Sequence, residues 1–158
     1  MIALEIEAED PRWDAVPDRD GLLRRAADAA LAVLPDPPDG DFAVTLLLAD
    51  DAALRELNGA WRGKDAPTNV LSFPSPPMAP PGEPVPLGDV ALAYETVARE
   101  ASQEGKTLAD HVAHLVVHGV LHLLGHDHVE EAEAEEMERL EALALARLGI
   151  ADPYRAAA

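Results

Sequence analysis

NVLSFPSPPMAPPGEPVPLGDVALAY, residues 69–94, decides the fold of this 158-residue chain. At one end NVLSF (69–73) is short, apolar and β-prone, and at the other GDVALAY (88–94) has the same character. Between them lies PSPPMAPPGEPVP (74–86), in which seven of thirteen residues are proline. Proline lacks the N–H that a helix interior or a central strand requires, so the segment is expected to be neither. It is also too short and too proline-rich for a helical crossover, so the two strands it joins are expected to run antiparallel. The segment itself reads as a surface loop or as a lid bordering a cleft.

The rest of the chain alternates strand and helix patterns around this unit. IALEIE (2–7) alternates apolar and acidic residues, as a half-buried strand does. Pro11 to Pro17 reads as a loop, and the spacing from Asp20 to Leu34 is helical, with Pro35 as its stop. PDPPDGD (35–41) is a turn-rich connector before the strand FAVTLLLA (42–49). Asp50 is placed to cap a helix over 51–60, with Leu54 and Leu57 facing inward. A helix is expected from Glu95 to Gln103, broken at Gly105. Thr107 with Asp110 resembles a capping box and opens a helix through Leu124, which Gly125 ends. A last helix spans 130–148 and packs through Met137, Leu140, Ala144 and Leu148. Its glutamates at 130, 131, 133, 135, 136, 138 and 141 are expected to form a solvated acidic face. The order β-α-β-α-β-β-α-α-α predicts an α+β fold: one domain, 1–158, with a mixed sheet of four strands and five helices.

Composition excludes several function classes. Apolar residues make up 48%, a globular composition. No cysteine is present, which removes disulfides, thiolate zinc sites and cysteine nucleophiles, so a metal site must use His and carboxylates. Twelve basic residues against thirty acidic ones give a net charge of −18, which argues against binding nucleic acid through the whole surface but leaves room for a local basic cleft. The N-terminus MIALEIEAEDPRW has no basic n-region and no long apolar run, so no signal peptide is expected. No stretch approaches the roughly 20 apolar residues of a membrane span. Cytoplasm is the expected compartment.

All six histidines lie in HVAHLVVHGVLHLLGHDH (111–128). At about 100° per residue, His111, His114, His118 and His122 share an arc of roughly 80° on one helix face. Residues four apart stand about 6 Å apart along the axis, so two such imidazoles can reach one zinc ion. His114, His118 and His122 together span about 12 Å, too far for one tetrahedral site. The third ligand must therefore come from beyond the helix, and Gly125 lets the chain turn back there. His118, His122 and His128, with Gly125 between the last two, have the spacing of metzincin-type zinc sites. Three protein ligands leave a fourth position open, the arrangement of catalytic zinc. His111, His114 and His126 read as core, surface or supporting residues, and Asp127 as either an outer-shell partner of a ligand or a helix cap. A metallopeptidase would carry Glu directly after the first ligand, but this chain has Gly119, which moves no proton. That weakens a peptidase reading and opens others, phosphodiester hydrolysis included.

A second constellation, WRGKDAPTNVLSFP (61–74), places Arg62, Lys64 and Asp65 between a helix and a strand. Its charges are those of an ordinary solvated loop, or else Arg62 faces an anionic substrate and stabilises developing charge.

NGAWRGKDAPTNVLSFP (58–74), LGDVALAYETV (87–97) and HLVVHGVLHLLGHDH (114–128), three separated blocks in order, together resemble the YbeY family of endoribonucleases and rRNA maturation factors. The resemblance implies a zinc-dependent, single-strand-specific endoribonuclease that acts in 3′ end maturation of small-subunit 16S rRNA and in ribosome quality control. It implies one Zn2+ per chain on His118, His122 and His128, and a catalytic, phosphate-binding role for Arg62. Lys64 is expected to help bind the RNA backbone, Asn69 and Ser72 to line the cleft, and His114 and Asp127 to support the ligands. Implied partners are ribosomal RNA and ribosomal proteins or assembly GTPases, with no membrane and no DNA. Family members often carry Tyr where this chain has His126. The alternatives are a metallopeptidase-like hydrolase with another base, and a non-catalytic ribosome-assembly factor whose structural zinc has a closed fourth position.

Overall fold

The computed structural model describes residues 1–63, 68–76, 78–126 and 130–154, apart from the Arg62 side chain. Four strands form one sheet: β1 (Ile2–Ala8), β2 (Phe42–Ala49), β3 (Val70–Pro74) and β4 (Val85–Ala93). Their order is β1-β2-β4-β3. β1, β2 and β4 are mutually parallel, and β3 runs antiparallel to β4 at the edge. This is the mixed sheet that the proline-rich connector required. Five α-helices pack with it among the described residues: α1 (Arg19–Ala32), α2 (Asp51–Arg62), α3 (Tyr94–Gln103), α4 (Leu108–Leu123) and α5 (Glu131–Arg147). No helix among the described residues is long and apolar enough to cross a membrane.

Strand alternation divides the apolar residues between two faces. Val44, Leu46 and Leu48 of β2, with Val90 and Leu92 of β4, meet α1 and α4 in the main core. The alanines of α1 at 26, 27 and 30 let α4 approach closely, and α5 closes the layer through Met137, Leu140, Ala144 and Leu145. Among the described residues the opposite face buries a smaller apolar set, Ala49, Leu71, Ala91 and Ala93 of the sheet with Leu54 of α2. Much of that second face is therefore left for a cleft. Asp50 caps α2 by accepting from the Ala53 N–H at 2.8 Å, as its position predicted.

Two expectations are corrected. Pro86 lies inside β4, a central strand, although the segment 74–86 was expected to exclude one. The β2–β4 register shifts at Ala43/Val44, opposite Pro86, and β3 pairs with β4 only from Gly88 onward. The missing proline N–H thus falls at a bulge, beyond the reach of β3. Within the expected loop 11–17, a 3-10 turn (Pro11–Ala15) buries Trp13 completely, and its indole N–H donates to Ala49 O at 2.8 Å.

α4 sets the position of the histidines. Thr107 Oγ1 accepts from the Asp110 N–H at 3.1 Å and starts the helix. At its other end Gly125 has φ +99°, the Gly125 N–H donates to His122 O, and the His126 N–H donates to Leu121 O. This is the pair of bonds that closes a helix in a Schellman turn. Midway along, Gly119 presses on the sheet. A Cβ there would stand 2.8 Å from Val90 Cγ1 and 3.3 Å from Ser72 Oγ. Gly119→Val should therefore destabilise the fold by about 2 kcal/mol or more through overpacking. Chemical denaturation of the two proteins measures it, and equal stabilities would show that the helix does not seat on Val90.

Candidate active site

His118 and His122 lie one turn apart near the C-terminal end of α4, with ring centroids 4.9 Å apart and planes inclined by 70°. Both line a cleft of about 1230 Å³ that runs from the α2 side of the sheet around the free edge of β3. That exceeds the ~300–1,000 Å³ of pockets that enclose small molecules, so an extended substrate suits it better. Asn69 and Ser72 of the β3 segment also line it. Glu7 and Glu9 line it on the β1 side, Trp61 of α2 and Phe73 of β3 line the other, and Asp89 is the cross-strand partner of Phe73. Trp61 is 73% exposed, and its ring stands 6.1 Å from that of Phe73.

Behind the histidines lies a carboxylate that the sequence reading had placed in solvent. Glu141 of α5 is 1% exposed, which corrects its assignment to the acidic face. Its Oε1 stands 2.7 Å from His114 Nε2, 3.2 Å from His118 Nδ1 and 3.0 Å from the Tyr154 hydroxyl. Burial alone would raise its pKa, but hydrogen bonds from His114 and then His118 outweigh that and hold it at about 2. Burial, together with the Glu141 charge, pushes the Tyr154 phenol far above its ordinary range, so it stays a donor. An ionised carboxylate only accepts, so the proton of each facing imidazole nitrogen is on His114 Nε2 and on His118 Nδ1. In a neutral imidazole whose proton is on Nδ1, Nε2 carries the lone pair.

The other histidines have different neighbours. His111 Nε2 lies 3.0 Å from Glu100 Oε1, which also accepts from Asn69 Nδ2 at 3.0 Å, so Glu100 links α4 to the start of β3. His126 is half-buried, and its backbone closes the helix end. Lys64, Asp65, Asp127 and His128 lie outside the described residues. Arg62 is the last residue of α2, next to the cleft-lining Trp61. Among the described residues, no set of three or more His, Asp or Glu side chains is arranged to hold an ion. The donor set that is described fits a metal's needs: two imidazoles one turn apart, one with its lone pair fixed by a carboxylate. Gly119 faces Val90 and Ser72, so the position that holds the general base of a metallopeptidase has no room for a side chain.

Sequence reasoning missed Glu141, Tyr154 and Trp61. For Glu141 a signal existed: residues 137, 140, 141, 144, 145 and 148 form one continuous helical stripe, and Glu141 sits in its middle.

Fold and cleft together define an α+β protein with an open groove of about 1230 Å³ lined by two imidazoles. The chain matches the family described as Endoribonuclease YbeY over residues 18–149. It is 54% identical to Endoribonuclease YbeY of Paramagnetospirillum magneticum, covering 97% of this chain and 96% of that one. It is 52% identical to the protein of the same name from Cereibacter sphaeroides, covering 96% and 98%. The solution structure of TM1509 from Thermotoga maritima shares the fold, with a TM-score of 0.55 and 21% identity over 98% of this chain and 99% of that one. The chain belongs to the YbeY family, whose description is that of hydrolytic endoribonucleases.

The Glu141 network has a pH signature. The folded pKa of about 2 lies below the ordinary 4.5, so its stabilisation is complete above about 4.5 and is lost as pH falls toward 2. Glu141→Gln should cost roughly 1–3 kcal/mol at pH 6. The gap between the two proteins should narrow below pH 4.5. Denaturant unfolding between pH 2 and 6 reads this, and a gap constant with pH would refute it.

Proposed function

We propose that this chain is a zinc-dependent, single-strand-specific endoribonuclease, a single domain over 1–158 that matures the 3′ end of small-subunit 16S rRNA and serves ribosome quality control. The observation that carries the reading is the His118–His122 pair on the wall of an open cleft, one ring held by Glu141. Family membership supports the endoribonuclease activity and an RNA substrate. His118, His122 and His128 are the assigned zinc ligands, with His114 and Asp127 in supporting positions. Zinc bound there would supply Lewis acidity and lower the pKa of water to about 7.

The remaining roles fall to the chain's own side chains. Arg62 is assigned the scissile phosphate, because a guanidinium fork matches two phosphate oxygens and offsets the charge that builds on them. Lys64 is assigned the neighbouring backbone. Trp61 and Phe73 offer aromatic faces at the α2 end of the cleft. An unpaired base can stack on such a surface, whereas a duplex keeps its bases inside, and this favours single strands. Glu7 and Glu9, on the β1 side of the cleft, repel phosphates and so direct the backbone toward α2. Ribosomal proteins or assembly GTPases in the cytoplasm are the partners this reading implies.

Three proteins test the two-part site: wild type, His118→Ala and Arg62→Ala, assayed for bound zinc and for cleavage of single-stranded RNA. His118→Ala should lose both. Arg62→Ala should keep zinc and lose cleavage by about 10²-fold or more. Wild-type cleavage that survives complete chelation would overturn the mechanism. Trp61→Ala should weaken single-stranded RNA binding by the roughly 1–3 kcal/mol of one base stack, while Trp61→Phe keeps most of it. Filter binding measures this, and unchanged affinity in the Ala variant would remove Trp61 from the substrate path.

A further inference from the structure

We infer that Glu141 is a positioning residue for the metal centre: it locks His118 in the tautomer that presents Nε2 to the ion, and Tyr154, beyond α5, donates to the same carboxylate oxygen. The inference rests on the reading of His118 as a ligand.

Burying a carboxylate is costly, several kcal/mol even after relaxation, and a hydrophobic residue of similar size is often neutral or better. α5 offers every opportunity for that substitution, since Met137, Leu140, Ala144 and Leu145 around Glu141 are all buried and apolar. Packing therefore does not account for a charge at this position. Its contacts do. His114, His118 and Tyr154 all meet one oxygen, Oε1, and they come from α4 and from the segment after α5. His114, 12% exposed, and Tyr154 satisfy the carboxylate from the core side and the chain-end side. His118, 22% exposed, extends from the carboxylate to the cleft. One of its nitrogens thus faces a fixed acceptor, which leaves the other as the nitrogen able to ligate. A carboxylate behind a ligating imidazole fixes ring orientation and raises ligand basicity.

Three proteins without bound metal test this: wild type, Glu141→Gln and Tyr154→Phe. Histidine side-chain 15N–1H correlation spectra report the tautomers, and calorimetric titration with zinc alone reports affinity. Wild-type His118 should carry its proton on Nδ1. A glutamine amide donates as well as accepts, so in Glu141→Gln the tautomers of His118 should mix, and zinc affinity should fall by about 10–100-fold. Tyr154→Phe disturbs the same network without touching His118, so it should leave the His118 tautomer unchanged and affinity near wild type. A purely structural role for Glu141 would weaken both variants alike. Proton placement on Nε2 in the wild type overturns the inference without any variant, as does equal zinc affinity in Glu141→Gln. Failure of the zinc reading itself looks different: wild type would then bind no zinc, or would bind it equally after His118→Ala.

Discussion

The close approach of α4 to the sheet at Gly119 is the constraint on which the site depends. With 2.8 Å between a would-be Cβ and Val90 Cγ1, only glycine lets the helix sit at this depth. His118 is the preceding residue, so the depth of the helix is also the depth of its imidazole beside β3. Ser72 Oγ reaches Gly119 O at 3.4 Å and ties the edge strand to the same point. Catalytic constellations lose orders of magnitude in rate when displaced by about 1 Å. The residue that looks like a lost general base in a peptidase motif is thus the one that seats the helix.

Glu141 fixes the remaining freedom of the ring. Helix position alone sets where the imidazole is attached, and the carboxylate sets which nitrogen faces the cleft. The two controls come from different elements: β4 acts on the helix through Val90 at Gly119, and α5 acts on the ring through Glu141. Tyr154 brings a third segment to the same oxygen, which extends the support of the site to the end of α5 and beyond.

Much of this was legible in the amino-acid order because local signals and tertiary structure agree. Asp50 and Thr107 cap the helices they precede, Gly125 takes a positive φ, and the proline-rich connector yields an antiparallel pair. Errors arose where tertiary context overrode a local rule. Pro86 is tolerated in a central strand because β3 stops two residues short of it, a fact about strand length and not about proline. Trp13 looked like loop but fills the core under Ala49. Glu141 was assigned to solvent by its company of glutamates, although its helical phase placed it on the apolar stripe.

A net charge of −18 and three carboxylates along the cleft oppose the binding of a polyanion. Distance resolves much of the conflict, since charges beyond about 8 Å are largely screened at physiological ionic strength. What acts on a bound strand is then the local pattern. Glu7 and Glu9 on the β1 side, and the aromatic pair Trp61 and Phe73 with Asp89 beside it, give the cleft one side hostile to phosphates and one that offers bases a stacking surface. For the proposed substrate, affinity from stacking carries no charge penalty, and the repulsive wall restricts where the backbone can run. The acidity of the chain thereby opposes indiscriminate binding of nucleic acid while leaving one path along which an unpaired strand can enter.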